Sequence, residues 1–251
     1  EVDTGSDVEG TTGIALGASV TSASVNIDNT SPTAITVTPS TTGPTSAGSV
    51  GFDITFSENV VNFNDASDVM VTHSGTSHSG VSIGGSGSSY SVNVIGIAGD
   101  GSFTLNVNTG SDVQDAATNV LGSSVNSAAV SIDNTAPAAV SITPAGTGPT
   151  NADTMSFDIT FDEDVVNFND MADVIVNHTG TSHSGVNITG SGASYSADVT
   201  GIAGDGSFTL AVNTGSDVED TVTNALGSSV TSSPVSIDNT SPSASIGAAS
   251  A

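Results

Sequence analysis

The 251-residue chain contains no lysine, no arginine, no cysteine and no tryptophan. Without Lys or Arg there are no ordinary salt bridges, and nucleic acid and anionic membrane surfaces are poor partners, because both demand basic side chains. Without Cys there are no disulfides and no thiolate metal sites. Apolar runs are only a few residues long, so no transmembrane helix fits, and no basic segment precedes an apolar one to form an export signal. Any such signal is expected outside this stretch. Aromatic residues are scarce, eight Phe and two Tyr, so cores must be built mainly from Val, Ile, Leu and Phe.

What the chain does have is acid. Twenty-six Asp and Glu give a formal net charge of −26, with four His as the only other ionisable side chains apart from tyrosine. These carboxylates must be solvated, screened, or bound to external cations.

The second positive feature is a repeat. Asp28, Asp133 and Asp238 are spaced by 105 residues, as are Glu58 and Glu163, His73 and His178, and Asp100 and Asp205. Asp7, Asp112 and Asp217 follow the same offset. Residues 32–136 align with 137–241 without a gap at roughly two-thirds identity, a repeat of domain size. Residues 1–31 match the end of such a unit and 242–251 the start of another, as expected of a piece of a longer tandem array.

Within a unit the apolar period is two. "SVGFDITF" puts Val50, Phe52, Ile54 and Phe56 on one face, and "SFTLNVN" does the same with Phe103, Leu105 and Val107. "SYSVNV" alternates Tyr90, Val92 and Val94. Short strands separated by Gly, Ser, Asn and Asp predict an all-β antiparallel sandwich. The expected strands of the first full unit are 33–38, 49–56, 68–72, 80–84, 88–95, 102–108 and 125–132. About seven strands in about 100 residues is the size of an immunoglobulin-like domain. Pro137 in a short linker predicts semi-rigid joints.

The ordered phrases "FDITFSENVVNFNDASDVMV", "GIAGDGSFTLNVNTGSDVQDAATNVLG" and "SIDNTAP" resemble the bacterial immunoglobulin-like repeats of large secreted adhesins. The resemblance covers both full units and the leading fragment. It implies tandem immunoglobulin-like domains projecting from a cell surface, extracellular, and often stiffened by Ca²⁺ between domains. One departure is the loop "DAATN", with Thr118 where the family usually has Gly; the second unit reads "DTVTN".

Immunoglobulin-like topology gathers particular acids. At the junction of the full units it brings Asp133 and Asn134 of the linker, with Asp100, towards Glu163, Asp217 and Asp220. The first junction repeats the set with Asp28, Asn29, Glu58, Asp112 and Asp115, and Asp205 with Asp238 begins a third. A hard cation with six to eight oxygen ligands would relieve the repulsion, and Ca²⁺ suits irregular loop ligands better than Mg²⁺. The other reading is that these acids are ordinary solvated turn residues. Asp112 and Asp115 are the stronger ligand candidates beside Glu58, whereas Asp65 and Asp68 are expected to be solvated or to cap their loop.

"THSGTSHSG" puts His73 and His78, and in the next unit His178 and His183, in a predicted loop. Two imidazoles can begin a Zn²⁺ or Cu²⁺ site, but no third ligand is near in sequence, so exposed polar loop residues are the expected reading. They are also the only pH-responsive cations of the chain. No G-x-S-x-G elbow, EF-hand loop, P-loop or dinucleotide fingerprint occurs, and "GGSGSSYSV" puts Ser89 where a calcium-binding nonapeptide needs Asp. The expectation is therefore a non-enzymatic structural repeat whose partners are neighbouring repeats of its own chain. The alternatives are lateral assembly of copies into a filament or sheath and a glycan- or protein-binding module.

Overall fold

The computed structural model describes residues 7, 9–14 and 17–247. Six strands form the first full unit: β1 Ala34–Pro39, β2 Ser49–Val60, β3 Val69–Ser77, β4 Gly80–Ile95, β5 Ala98–Val107 and β6 Val130–Ile132. The second contains β7 Ala139–Pro144, β8 Thr154–Val166, β9 Val174–Ser182, β10 Gly185–Thr200, β11 Ala203–Val212, β12 Glu219–Asp220 and β13 Val235–Ile237.

Every strand pairing is antiparallel, in two sheets per unit. One sheet orders β1-β2-β4 and the other β3-β5-β6 in the first unit. In the second unit β8 is flanked by β10 and by both β7 and β12, opposite a β13-β11-β9 sheet. The alternation seen in the sequence explains the layering. Phe52 and Ile54 on β2, Val92 and Val94 on β4, and Phe103 and Leu105 on β5 are all fully buried. Each such side chain contributes about 1.5–3 kcal/mol by leaving water. Two separate cores result, one per unit, with Tyr90 and Tyr195 packed against them. This is the immunoglobulin-like sandwich, with β1, β2 and β4 facing β3, β5 and β6 in the first unit.

The expected strands 80–84 and 88–95 form one continuous span, β4, that doubles back on itself. Ser79 N donates to Ile95 O at 3.0 Å, and a side chain on Gly85 (φ +120°) would strike Ser89 O. Only glycine turns the backbone so tightly there. The expected strand 125–132 is regular only at β6, because Ser127 interrupts the ladder. Its hydroxyl accepts from Leu105 N at 3.0 Å and donates to Ala128 O. Gly99–Gly101, outside the expected strand 102–108, lies inside β5, where the ladder with β3 shifts register around Gly75. Residues 17–31 carry no strand, and Val25 and Ile27 are 80% and 75% exposed, although their equivalents Val130 and Ile132 are buried in β6.

Candidate metal centre

Each linker is grasped by the unit that follows it. Buried Pro32 and Pro137 accept backbone hydrogen bonds from Gly122 and Gly227 at 2.9 Å. The amide of Asn119 donates to Asp28 O at 3.1 Å, and that of Asn224 donates to Asp133 O at 3.0 Å. Those same amides hold a carboxylate. Asn224 Nδ2 donates to Asp220 Oδ2 at 2.8 Å and its backbone N–H to Oδ1 at 2.9 Å. Asn119 does the same for Asp115 at 2.8 Å in both bonds. The loops that make this possible, Asp115–Asn119 and Asp220–Asn224, pass through a left-handed threonine, Thr118 at φ +71° and Thr223 at +72°.

The result is a carboxylate trio at each linker. Asp28, Glu58 and Asp115 bring one oxygen each within 4.8 Å of one another, and Asp133, Glu163 and Asp220 do likewise. Asp115 and Asp220 are only 3% and 2% exposed. The electrostatics follow from the missing cations. Burial, then the charges of Asp133, Asp220, Asp162 and Asp100, push the Glu163 carboxyl above the ordinary carboxylate range. Burial, then Asp28 and Asp115, raise that of Glu58. Asp115 moves the other way, held down chiefly by the Asn119 side chain.

The other candidate residues lie around these trios. Asp100 belongs to the upstream unit. Its Oδ1 accepts from Asn134 N at 2.6 Å, fixing the linker, while Asn134 Nδ2 donates to Gly99 O. Asp205 and Asn239 repeat that clamp beside Asp238, which accepts from Thr240 N. Asp112 and Asp217 are exposed and stand outside the trios; their backbone carbonyls accept from Asn62 and Asn167. Asn29 is exposed beside Asp28. Asp65 and Asp68 cap a short 3-10 turn at Ala66–Asp68, and Asp68 is wholly buried there, not solvated.

The histidines are half-buried and not exposed: His78 and His183 lie in the predicted loop, but His73 and His178 lie within strands. His73 lies within β3, half-buried, and its Nε2 is 2.7 Å from Nδ1 of His78. His178 and His183 repeat the contact at 2.7 Å. Spacing in the sequence gave no sign of this, because the contact depends on the bulge at Gly75.

The trio geometry suits one hard cation. Oxygens about 2.4 Å from a common ion are never more than about 4.8 Å apart. Three carboxylates from separate segments, with no Lys or Arg in the chain to compete, could supply three of the six to eight oxygens a Ca²⁺ ion takes.

No protein-family model and no curated protein matches the chain. Among solved structures, the I9–I11 tandem of titin is 12% identical over 77% of this chain and 61% of its own, with a TM-score of 0.40. InvD of Yersinia pseudotuberculosis is 14% identical over 84% and 60%, at a TM-score of 0.29. The adhesin InvE of the same organism is 12% identical over 81% and 58%, at 0.30. The chain thus spans about 60% of the length of these structures.

Proposed function

We propose that this chain is an extension segment of a long extracellular surface protein, in which Ca²⁺ at each linker fixes the angle between successive sandwiches. The observation that carries the reading is the Asp133–Glu163–Asp220 trio, which joins a linker to two paired strands of the following unit, β8 and β12, in a chain without Lys or Arg. Left uncompensated, three carboxylates that close repel, and the linker swings away. A shared Ca²⁺ turns the repulsion into a clamp.

The upstream unit completes the joint. Asp133 N donates to Thr45 O at 3.1 Å, Asp100 holds Asn134, and Ser46 Oγ donates to Val222 O across the seam at 2.6 Å. The linker is therefore gripped from both sides around the trio. Its function is mechanical: spacing and stiffness, with the acidic surface keeping neighbouring chains apart.

Small-angle scattering and thermal melting, each with millimolar Ca²⁺ and with excess chelator, test the reading. Calcium is expected to narrow the distribution of interdomain distances and raise the melting temperature; at a hundredfold excess over Kd, one site adds about 2.7 kcal/mol. A scattering profile and melt unmoved by chelator would refute it.

A further inference from the structure

We propose that each histidine pair is a one-proton dyad, in which His78 and His183 take up the proton while His73 and His178 stay neutral. The pair then supplies the repeat's single, pH-gated side-chain cation. This rests on the hydrogen-bond chain and not on the calcium reading.

The direction of the chain follows from its far end. Thr76 Oγ1 donates its one proton to Ser102 O at 3.0 Å, so toward His73 it can only accept. His73 Nδ1, 2.8 Å from that oxygen, must therefore carry the hydrogen. A neutral His73 then presents a bare lone pair at Nε2. His78 Nδ1, 2.7 Å away, must be the donor into it. That leaves His78 Nε2 as the basic nitrogen of the assembly. A proton placed there keeps every hydrogen bond and strengthens the Nδ1–H donation, which becomes charge-assisted. A second proton, on His73 Nε2, would set two N–H groups head to head.

Ring geometry agrees. The centroids of His73 and His78 lie 4.9 Å apart with an interplanar angle of 22°, so the rings meet nitrogen to nitrogen in nearly one plane. Lone pairs aimed at each other suit a shared hydrogen and not a metal held to one side, which sets the pair apart from a two-histidine Zn²⁺ or Cu²⁺ site. Burial, then the neighbouring His78, also lowers the affinity of His73 for a proton. Phe103 covers His73 at 5.8 Å between centroids. The second unit repeats each element: Thr181 to Ser207 O at 3.1 Å, His178 to Thr181 at 2.8 Å, and Phe208 over His178.

Other titratable groups on elements packed around the first hairpin are Asp100 on β5, Asp133 beyond β6 and Tyr90 on β4; none is hydrogen-bonded to either ring. The strand that carries His73 also packs against the residue that holds the linker. Gly75 (φ +81°) lies against the carbonyl of Asp100, leaving no room for a side chain, and the Asp100 carboxylate holds Asn134.

The test is ¹⁵N-edited NMR of the four imidazoles from about pH 7.5 to about 5.5, the range in which histidine charge changes. His78 and His183 are expected to become doubly protonated while His73 and His178 keep the neutral Nδ1–H tautomer. The chain then takes up two histidine protons, not four. In Thr76→Val the acceptor is gone, and His73 is expected to lose its fixed tautomer while the second unit's pair behaves as before. In His78→Gln the basic nitrogen of the first pair is gone, and any proton the first unit still takes up in that range should appear on His73, whose Nε2–H the amide oxygen can then accept. Four independent titrations, charging of His73 before His78, or a T76V spectrum unchanged at His73 would each overturn the proposal. So would a Zn²⁺-induced shift of both rings at equimolar metal.

Discussion

The two linkers carry the same trio in different surroundings. At the second, a complete sandwich abuts the joint: Thr45, Ser46 and Asp100 all reach the linker or the next unit. At the first, only the tail of a preceding repeat lies within the described residues, and there Asp28 is exposed where Asp133 is half-buried. Yet both trios close to within the same 4.8 Å. The assembly is therefore encoded by the linker and the unit downstream, through Asn119 or Asn224. The second seam holds more charge: Asp100 of the upstream unit, and Asp162 of β8 where the first unit has Ser57, act on the Glu163 carboxyl in addition to its trio partners, whereas Glu58 feels only Asp28 and Asp115.

The strongest way to break this comparison is to remove the shared clamp. Asn224→Ala strips the side-chain hydrogen bond from the buried Asp220 carboxylate and the one from Asp133 O, leaving the backbone N–H bond to Oδ1, and is expected to cost the second unit about 1–3 kcal/mol in denaturant unfolding. Asn119→Ala should destabilise the first unit by the same mechanism. If only N224A has an effect, closure depends on the upstream sandwich and the downstream rule fails.

Calcium titration sharpens the difference the upstream unit makes. Calorimetry should resolve two sites, with the second linker binding about tenfold tighter, a gap of about 1.4 kcal/mol. Asp133→Asn should remove the tighter site and Asp28→Asn the weaker. Equal affinities would mean that the extra carboxylates and contacts at the second seam contribute nothing.

Glu163→Gln separates charge repulsion from ligation. Because the folded-state affinity of Glu163 for a proton is raised, its contribution to stability is present below the ordinary glutamate value of 4.5 and lost as pH rises through the folded value. In chelator at pH 7, E163Q is therefore expected to melt higher than the parent chain, and in calcium lower. The equivalent Glu58→Gln should change sign in the same way with smaller amplitude. The His73 rings carry the opposite dependence. Their lowered proton affinity stabilises the fold above about pH 6.5, the ordinary histidine value, and that stability is lost as pH falls through the folded value.

The fold was legible because burial is periodic: Val50, Phe52, Ile54 and Phe56 alternate on one strand and face the core as the pattern requires. The trio was partly legible. The expected immunoglobulin-like topology placed Glu163, Asp220 and Asp133 in one neighbourhood, but Asp217, three residues before Asp220, was equally suited. The choice between them is made by Asn224, whose amide reaches Asp220 and leaves Asp217 in solvent. The histidine pair was not legible. A register shift at Gly75 sets the distance between its rings, and nothing in "THSGTSH" announces a bulge.

The smallest effect expected comes from the strained threonines, and it compares the loops directly. Thr118 and Thr223 occupy the left-handed region, which costs a residue with a Cβ about 1–2 kcal/mol and a β-branched one more readily than most. Gly would adopt the conformation freely but loses more entropy on folding, so the net gain of Thr223→Gly is about 1 kcal/mol. Thr223 N also donates to Asp220 O at 3.4 Å, and Thr118 N to Asp115 O at 3.2 Å, bonds that glycine retains. Thr118→Gly and Thr223→Gly should therefore stabilise their units by equal amounts in chelator, measured by urea unfolding. If the three carboxylates of the trio are the groups that hold calcium, the gain persists with calcium present. A gain at Thr118 that is absent at Thr223 would show that Ser46, bonded to the neighbouring Val222 O, already holds the second loop in its strained form.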